Sequence, residues 1–416
     1  MSSSQNRTID IIRAGFASLA LAVLVMSAGC GGGSSVPAST GTSTPPPAKS
    51  TVNNVQSIAA NAGPADNDVD MIFTSVTVCV PGTSNCQTIP NVQIDTGSEG
   101  LRILSSQVSL PLPQATDSSG SPLGNCVVFV DTSFVWGPVA TADIQMAGEK
   151  ASSVPVQIIA DPSFPAAPAA CNSGGPNLNT VATLGANGII GLGVFQQDCG
   201  PACAPGTASP PAVYFACPNS GCSVTTAALQ SQLQNPVWMF PQDNNGILIS
   251  LPTVPADGTA SVSGSLIFGI GTQSNNALGA AQVYTTDGDG NFSTIFEGLN
   301  YSGSFLDTGS NGIFFLDPVT VGIPDCGGGN SGFYCPASTT NFTATNSGLN
   351  GNSGPVSFSI ANADSLFNTN NAVFNDLGGE NPGGFDWGVP FYLGRNVFTA
   401  IQNQSTPAGP GPYWAY

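Results

Sequence analysis

Two short, nearly identical segments carry the residues best suited to chemistry. Asp95 begins the sequence Asp-Thr-Gly-Ser, and Asp307 begins the same four residues again in the second half of the chain. Two carboxyl groups held side by side can divide the work of hydrolysis, because one takes a proton from water while the other, still protonated, polarises a carbonyl. The chain has no histidine, which excludes Ser-His-Asp and Cys-His catalysis and every zinc site that needs a histidine ligand.

A second motif follows each of these segments at a similar distance. Ile190-Gly191 follows the first segment and Leu393-Gly394 follows the second, each with Val-Phe a few residues further on. Two halves that share the same ordered pair of motifs indicate a duplicated, pseudo-symmetric architecture. A single Asp-Thr-Gly segment is also a common turn at the end of a strand, so one alternative is a structural surface lipoprotein whose Asp residues only cap turns.

Taken together, the motifs resemble those of the pepsin-like aspartic peptidases, and the resemblance extends from near Asp68 to the C-terminus. It implies a mostly β, bilobal double-β-barrel fold with few short helices. It also implies an aspartic endopeptidase in which Asp95 and Asp307 share one proton and activate water between them. The expected partner is a polypeptide substrate, and no cofactor or metal is expected.

The resemblance assigns supporting roles to the residues around the two acids. The glycines let the backbone approach and present N–H groups, the threonines cross-link the two loops, and the serines bind the outer carboxylate oxygens. The residues expected in these roles are Thr96, Gly97, Ser98, Thr308, Gly309 and Ser310. The residues expected to pack across the loops and hold them rigid are Ile190, Gly191, Leu393 and Gly394.

The sequence departs from that family in two places. Glu99 and Arg102 follow the first segment, and we expect their charges to pair on the surface rather than to shift the titration of the acids. The family closes its cleft with a flap that bears a tyrosine, but residues 127–134 contain none, so Phe129 or Phe134 is the candidate to cover the cleft. The altered flap leaves a second hypothesis open, a catalytically weak or inactive binding or inhibitor-like module on the same fold.

Composition agrees with a β-rich globular protein. The chain has 416 residues, of which 41% are hydrophobic and 7% charged, with 51 glycines and 34 prolines. Frequent turns are therefore expected, and long ion-paired helices are not. The formal net charge of −18, with six Lys and Arg residues, leaves no basic surface for nucleic acid. Because both acidic segments lie in one chain, a monomer is expected.

The N-terminus has the layout of an exported protein. Arg7 and Arg13 precede an uncharged run over residues 14–26, and small residues lead to Cys30. Residues 1–29 are therefore predicted to be a signal peptide. The Ser-Ala-Gly-Cys ending resembles the bacterial lipobox, which implies a lipid on Cys30 that anchors the protein to the cell envelope, at the outer membrane. The alternative is an ordinary cleaved signal in which Cys30 has no role.

Three parts are predicted after the signal peptide. Residues 30–65 are rich in Gly, Ser, Thr and Pro and are predicted to be a flexible tether, followed by an N-terminal lobe over 66–255 and a C-terminal lobe over 256–416. One helical stretch is predicted near residues 225–233. Apolar runs between turn residues predict strands at 71–80, 127–130, 154–159, 246–251 and 265–268.

The cysteines indicate an oxidising compartment. Setting Cys30 aside leaves an even number of the 11 cysteines, as disulfide pairing requires. Local pairing is our hypothesis: Cys79 with Cys86, Cys199 with Cys203, Cys217 with Cys222 and Cys326 with Cys335, which leaves Cys126 and Cys171. The alternative is a zinc knuckle, for which the ligands would be Cys199, Cys203, Cys217 and Cys222.

Overall fold

The computed structural model describes residues 53–172 and 174–416. Short apolar runs broken by Gly and Pro fold here into strands, so the protein is mostly β with few short helices and barrel-like sheets, as predicted. The strands are β1 (Val55–Asn61), β2 (Met71–Cys79), β3 (Cys86–Asp95), β4 (Glu99–Leu104), β5 (Leu123–Val128), β6 (Phe134–Met146), β7 (Glu149–Ile159), β8 (Gly188–Leu192), β9 (Tyr214–Ala216), β10 (Ser223–Val224), β11 (Gly246–Ser250), β12 (Val262–Phe268), β13 (Val283–Thr285), β14 (Phe292–Phe296), β15 (Leu299–Leu306), β16 (Ile313–Leu316), β17 (Thr340–Ser347), β18 (Ser353–Ile360), β19 (Gly378–Gly379), β20 (Asn381–Trp387), β21 (Asn396–Ala400), β22 (Ser405–Thr406), β23 (Gly409–Pro410) and β24 (Tyr413–Ala415).

The helices are short connections between strands. Within the described ranges, none is long and apolar enough to cross a membrane. The α-helices are α1 (Val181–Leu184), α2 (Pro318–Val321), α3 (Ala363–Phe367) and α4 (Val389–Tyr392), and the 3-10 helices are Ser105–Gln107, Gly200–Cys203, Leu229–Ser231, Pro236–Met239, Ser274–Asn276 and Gly328–Asn330.

One large sheet runs through both halves of the chain. Its strand order is β10-β9-β5-β6-β7-β4-β8-β3-β2-β1-β12-β11-β21-β24-β13. Strand β1 pairs antiparallel with β2 of the first half and with β12 of the second, and the sheet continues from β12 through β11 to β21. The continuous ladder of backbone hydrogen bonds joins the two halves that carry the two Asp-Thr-Gly-Ser segments.

Strand β1 shows that the predicted tether over residues 30–65 is wrong at its C-terminal end. Ile58 and Ala60 are buried and alternate with more exposed neighbours, which is the period-two pattern of a strand with one face in the core. The small, polar composition of the surrounding segment hides this pattern. Residues 1–52, with the predicted signal peptide, Cys30 and most of the tether, lie outside the described residues.

The second half adds its own sheet and an aromatic core. The strand order is β18-β17-β14-β15-β20-β16-β19. Phe385 on β20 stacks on Phe315 at a centroid distance of 5.2 Å and on Trp387 at 5.3 Å, while Phe358 meets Phe315 edge to face at 5.2 Å. These ring contacts fix β20, which lies between β15 and β16 and carries part of the site described below.

The helix predicted near residues 225–233 is wrong. Only Leu229–Ser231 forms a 3-10 turn there, after the short strand β10. The side-chain amide of Gln232 donates to the Ala227 carbonyl at 3.0 Å, and that of Gln234 donates to the Leu229 carbonyl at 2.6 Å. These buried amides occupy carbonyls that a helix would need as acceptors, and so short a segment forms no stable helix by propensity alone.

Five disulfides confirm the predicted pairing. Four of them are local, and the fifth joins the two remaining cysteines, Cys126 and Cys171, across a sequence separation of 45 residues. The zinc-knuckle alternative is wrong, because Cys199 is bonded to Cys203 and Cys217 to Cys222, so none of these sulfurs is a free thiolate.

Candidate functional site

The two Asp-Thr-Gly-Ser segments face each other at the ends of corresponding strands. Asp95 is the last residue of β3, and Asp307 directly follows β15. Each segment turns back at once into the next strand, β4 or β16, whose apolar side chains are buried. Buried strands on both sides of each turn therefore hold the two acids at the junction of the halves.

Reciprocal hydrogen bonds between the threonines join the two loops. The N–H of Thr96 donates to Oγ1 of Thr308 at 3.1 Å, and the N–H of Thr308 donates to Oγ1 of Thr96 at 3.0 Å. Each hydroxyl then donates to a carbonyl of the opposite strand, that of Leu306 at 3.3 Å and that of Ile94 at 2.8 Å. All four groups are buried, so each loop satisfies polar atoms that the other would leave unpaired.

Each acid is bound by its own loop in the same way. The Gly97 N–H donates to Oδ1 of Asp95 at 2.8 Å, and the Gly309 N–H donates to Oδ1 of Asp307 at 2.6 Å. On the outer oxygens, Ser98 Oγ lies 2.5 Å from Oδ2 of Asp95, and Ser310 Oγ lies 3.0 Å from Oδ2 of Asp307. Asp95 and Asp307 therefore contact the same backbone and hydroxyl groups of their own loops.

The loop glycines allow the two carboxyl groups to meet. A Cβ on Gly97 would lie 2.7 Å from the Asp307 carboxyl, and a Cβ on Gly309 would lie 2.7 Å from Oδ1 of Asp95. No larger residue fits at either position without moving the opposite acid. The carboxyl groups are within hydrogen-bonding reach of each other, and their Oδ1 atoms are the inner oxygens of the pair.

The surroundings of the pair favour the protonated form of Asp307. Asp307 is half-buried, and the desolvation of its carboxyl group, followed by the charges of Asp95 and Asp386, raises its pKa well above the usual range. Two ionised carboxylates at such a short distance repel each other strongly, so the pair is suited to hold one proton. The arrangement offers one proton donor and one proton acceptor at the same place.

Strand β8, which carries Ile190 and Gly191, pairs with the strands on both sides of the first loop. Ile190 lies opposite Ile94 in the parallel ladder, and Gly191 lies opposite Gly100 in the antiparallel one. A Cβ on Gly191 would lie 2.5 Å from the Glu99 backbone, so only glycine allows this close approach.

In the second half the prediction of Leu393-Gly394 is wrong, because Trp387-Gly388 occupies the corresponding place. Trp387 lies opposite Leu306 in a parallel ladder and opposite Ile313 in an antiparallel one. A Cβ on Gly388 would collide with the carbonyl oxygens of Ser310 and Gly312. Leu393 and Gly394 lie one helix further on and contact the segment around Leu251 instead, since α4 separates them from β20.

A third acid, Asp386, lies beside the pair. It precedes Trp387 on β20, is 6% exposed, and its Oδ2 lies 2.5 Å from Ser310 Oγ. Burial raises its pKa to about 8, and the charge of Asp95 adds to the shift. Sequence reasoning missed it because the Trp387-Gly388 motif was not recognised, and in the first half the corresponding position is the apolar Ile189.

The predicted surface pairing of Glu99 with Arg102 is also wrong. The two residues are 7% and 2% exposed, and Arg102 Nη2 lies 3.3 Å from Oδ2 of Asp198. Arg102 Nη1 donates to the Glu99 backbone carbonyl at 2.7 Å rather than to its carboxylate. The Glu99 carboxyl accepts the Phe195 N–H at 3.1 Å, and burial, with a contribution from the Asp95 charge, raises its pKa to about 8.

A cleft of about 200 Å³ opens above the two acids. The hairpin between β5 and β6 borders it through Phe129, Val130 and Asp131. Phe134, the other flap candidate, does not line this cleft, because it is 3% exposed and packs with the Cys126–Cys171 disulfide. Other cleft residues are Met71, Leu178, Leu184 and Ile189, which are apolar, and Asn67 and Asn311, which are polar.

Comparison with known proteins places the chain in a family. The model of a family described as "Protein of unknown function (DUF3443)" matches residues 50–416, and the chain belongs to that family. No curated protein matches the chain.

Proposed function

We propose that the protein is an aspartic endopeptidase with a pepsin-like, bilobal double-β-barrel fold. The observation that carries the proposal is the reciprocal geometry of the two Asp-Thr-Gly-Ser segments. Their threonines exchange backbone hydrogen bonds, and their carboxyl groups lie within hydrogen-bonding reach. A role for Asp95 and Asp307 as turn caps alone accounts for neither the cross-linked loops nor the close approach of the two carboxyl groups.

The pair supplies both the proton acceptor and the proton donor that peptide hydrolysis requires. A water molecule between the inner oxygens loses a proton to the ionised carboxylate and attacks the peptide carbonyl, while the protonated carboxyl donates to the carbonyl oxygen. The tetrahedral intermediate collapses when a proton reaches the leaving nitrogen, so no covalent enzyme intermediate forms. In the free protein the pair retains the shared proton, because desolvation and neighbouring charge raise the pKa of Asp307.

The cleft supports a polypeptide substrate. Apolar side chains, among them Met71 and Ile189, line it together with Phe129 of the hairpin and the two acids. An extended peptide offers apolar side chains for such a surface and a backbone carbonyl for the pair. Incubation of the purified full chain with a peptide library tests this, and cleavage that disappears in both Asp95→Asn and Asp307→Asn supports the peptidase.

One observation favours a second candidate, a binding or inhibitor-like module. Phe129 lines the cleft where the resemblance leads us to expect a tyrosine, so this position supplies no hydroxyl group. A module of this kind binds its partner without the two acids. Binding that persists in Asp95→Asn and Asp307→Asn, without cleavage in the parent protein, supports this candidate.

We further propose that the protein is exported and held in the cell envelope by a lipid on Cys30. The five disulfides support an oxidising compartment. Incorporation of radiolabelled palmitate that disappears in Cys30→Ala tests the anchor, and equal incorporation in the variant contradicts it.

A further inference from the structure

The Ser310 hydroxyl lies between two carboxyl groups that cannot both use it as a donor. Ser310 Oγ is 2.5 Å from Oδ2 of Asp386 and 3.0 Å from Oδ2 of Asp307. A serine hydroxyl has one hydrogen to donate and lone pairs to accept. If Ser310 donates to Asp307, its short contact with Asp386 requires the proton to be on Asp386.

The surroundings of Asp386 favour that protonated state. Its other oxygen, Oδ1, is buried and has no hydrogen-bond partner among the residues that the structure describes. An ionised carboxylate with a bare buried oxygen is strongly disfavoured, whereas a carboxylic acid leaves only an unpaired neutral carbonyl oxygen. The strand partners of Asp386 are Phe305 on β15 and Phe314 on β16, which supply no charge.

The titratable groups that face Asp386 are acids and a phenol. Asp307 lies at the end of β15, Asp95 at the end of β3, and Tyr392 on α4, and each interacts electrostatically with Asp386. None supplies a positive charge, so all of them favour the neutral form of Asp386 whenever they are ionised.

We propose that Asp386 is a positioning residue for the Asp95–Asp307 pair. Asp386 holds a proton on Oδ2 and donates it to Ser310 in a hydrogen bond. Ser310 in turn donates to the outer oxygen of Asp307. This inference rests on the proposed peptidase function. In this series of hydrogen bonds the outer oxygen of Asp307 accepts from Ser310. The shared proton of the pair therefore stays on the inner oxygens. When Asp386 ionises, Ser310 turns toward it and Asp307 loses its outer donor.

Two substitutions separate the hydrogen bond from the charge. Asp386→Asn keeps a donor, because its amide N–H can replace the acid proton toward Ser310, but it does not titrate. Asp386→Leu keeps the branching of the side chain and removes the donor. Asp376→Asn is the matched control, because Asp376 is a buried acid in the same half with a pKa raised to about 6 by burial and by the charge of Asp257.

The first measurement does not depend on activity. Carbon-13 NMR titration of the aspartate-labelled full chain should show the resonance of a carboxyl group that stays protonated through neutral pH. This resonance should be absent in Asp386→Asn and present in Asp376→Asn. In Ser310→Ala its chemical shift should change. A carboxyl assigned to Asp386 that is already ionised at neutral pH would overturn the inference even in a protein that cleaves nothing. If this resonance is observed but the protein cleaves no peptide, the proposed peptidase function is refuted, while the protonation of Asp386 stands.

The second measurement is the pH profile of peptide cleavage. In Asp386→Leu we expect kcat to fall about tenfold with KM unchanged, the effect of losing one supporting hydrogen bond. Asp386→Asn should restore kcat to within about threefold and should keep only the alkaline limb that comes from ionisation of the Asp95–Asp307 pair, without the contribution from ionisation of Asp386. Equal kcat in Asp386→Leu and Asp376→Asn, or the same alkaline limb in Asp386→Asn and the parent, would contradict the inference.

Discussion

Thr96 and Thr308 bind each other's backbone N–H through their side-chain oxygens, at 3.1 and 3.0 Å. Each hydroxyl also donates to a carbonyl of the opposite strand, at 3.3 and 2.8 Å. The two acids directly precede these threonines, so the cross-link sets the separation of the carboxyl groups. The position of Asp95 relative to Asp307 therefore depends on contacts between the two halves of the chain.

We expect Thr96→Val and Thr308→Val each to destabilise the protein. Valine preserves the volume but leaves a buried N–H on the opposite loop without an acceptor, which costs about 1–3 kcal/mol. The free energy of unfolding lost in the double variant should be smaller than the sum of the two single losses, because both substitutions break the same network of hydrogen bonds. Urea unfolding measures these values, with Thr77→Val as the control, since Thr77 bonds Thr88 at an exposed site. Losses equal to that of the control would show that the cross-link is not important for stability.

Gly388→Ala tests the assignment of the loop-packing glycine in the second half. The added methyl group would collide with the carbonyl oxygens of Ser310 and Gly312, so we expect a loss of about 3 kcal/mol or more in unfolding free energy. Gly303→Ala is the control, because a Cβ there meets no atom within 4 Å and the backbone φ is not positive. A Gly388→Ala variant as stable as the control would contradict the packing described for β20.

The buried acids Glu99 and Asp386 make the stability of the protein depend on pH. Burial raises the pKa of each to about 8 from ordinary values of 4.5 and 3.8, so the folded state binds their protons more tightly than the unfolded state does. Their contribution to the free energy of unfolding is complete below the ordinary pKa values of the two acids. It is lost as the pH rises toward 8. The slope for each proton is at most about 1.4 kcal/mol per pH unit.

Substitution with the neutral amide isolates this contribution. Glu99→Gln and Asp386→Asn should each flatten the decline of unfolding free energy between acid and mildly alkaline pH, while Asp289→Asn, at an exposed turn, should follow the parent. Urea unfolding at a series of pH values provides the test. A decline that is unchanged in both variants would mean that these acids are ionised in the folded protein at neutral pH.

The Cys126–Cys171 disulfide should contribute more stability than the local ones. It closes a sequence separation of 45 residues, against 7 for Cys79–Cys86. In the chain-entropy model this corresponds to a loss of about 4 kcal/mol for Cys126→Ala with Cys171→Ala, and of about 2 kcal/mol for the shorter pair. Denaturant unfolding of both double variants measures the difference, and equal losses would contradict the dependence on loop length.

Much of the site was predictable from the sequence because its parts are local. The two Asp-Thr-Gly-Ser segments are continuous in sequence, and the glycines and hydroxyls that bind each acid lie within three residues of it. The disulfides were predictable for the same reason, since four of the five join close neighbours.

The predictions that were wrong concern features that depend on strand register and burial. Gly388 and Gly394 are equally good candidates in the sequence, and only the pairing of β20 with β15 and β16 distinguishes them. Asp386 appears as an ordinary acid until that pairing places it against Ser310. Arg102 and Glu99 have the composition of a surface pair, but their strand is covered on both edges by β7 and β8.

The central claim is that Asp95 and Asp307 form a catalytic pair, and one measurement tests it most directly. The purified full chain is incubated with a denatured protein substrate from acid to neutral pH, with and without a statine-type transition-state analogue, beside Asp95→Asn, Asp307→Asn and the exposed control Asp289→Asn. We predict bell-shaped, inhibitor-sensitive cleavage by the parent and the control, and a loss of at least about a thousandfold in both catalytic variants. No cleavage by a folded, disulfide-bonded parent at any pH, or cleavage that survives in either variant, would contradict the account.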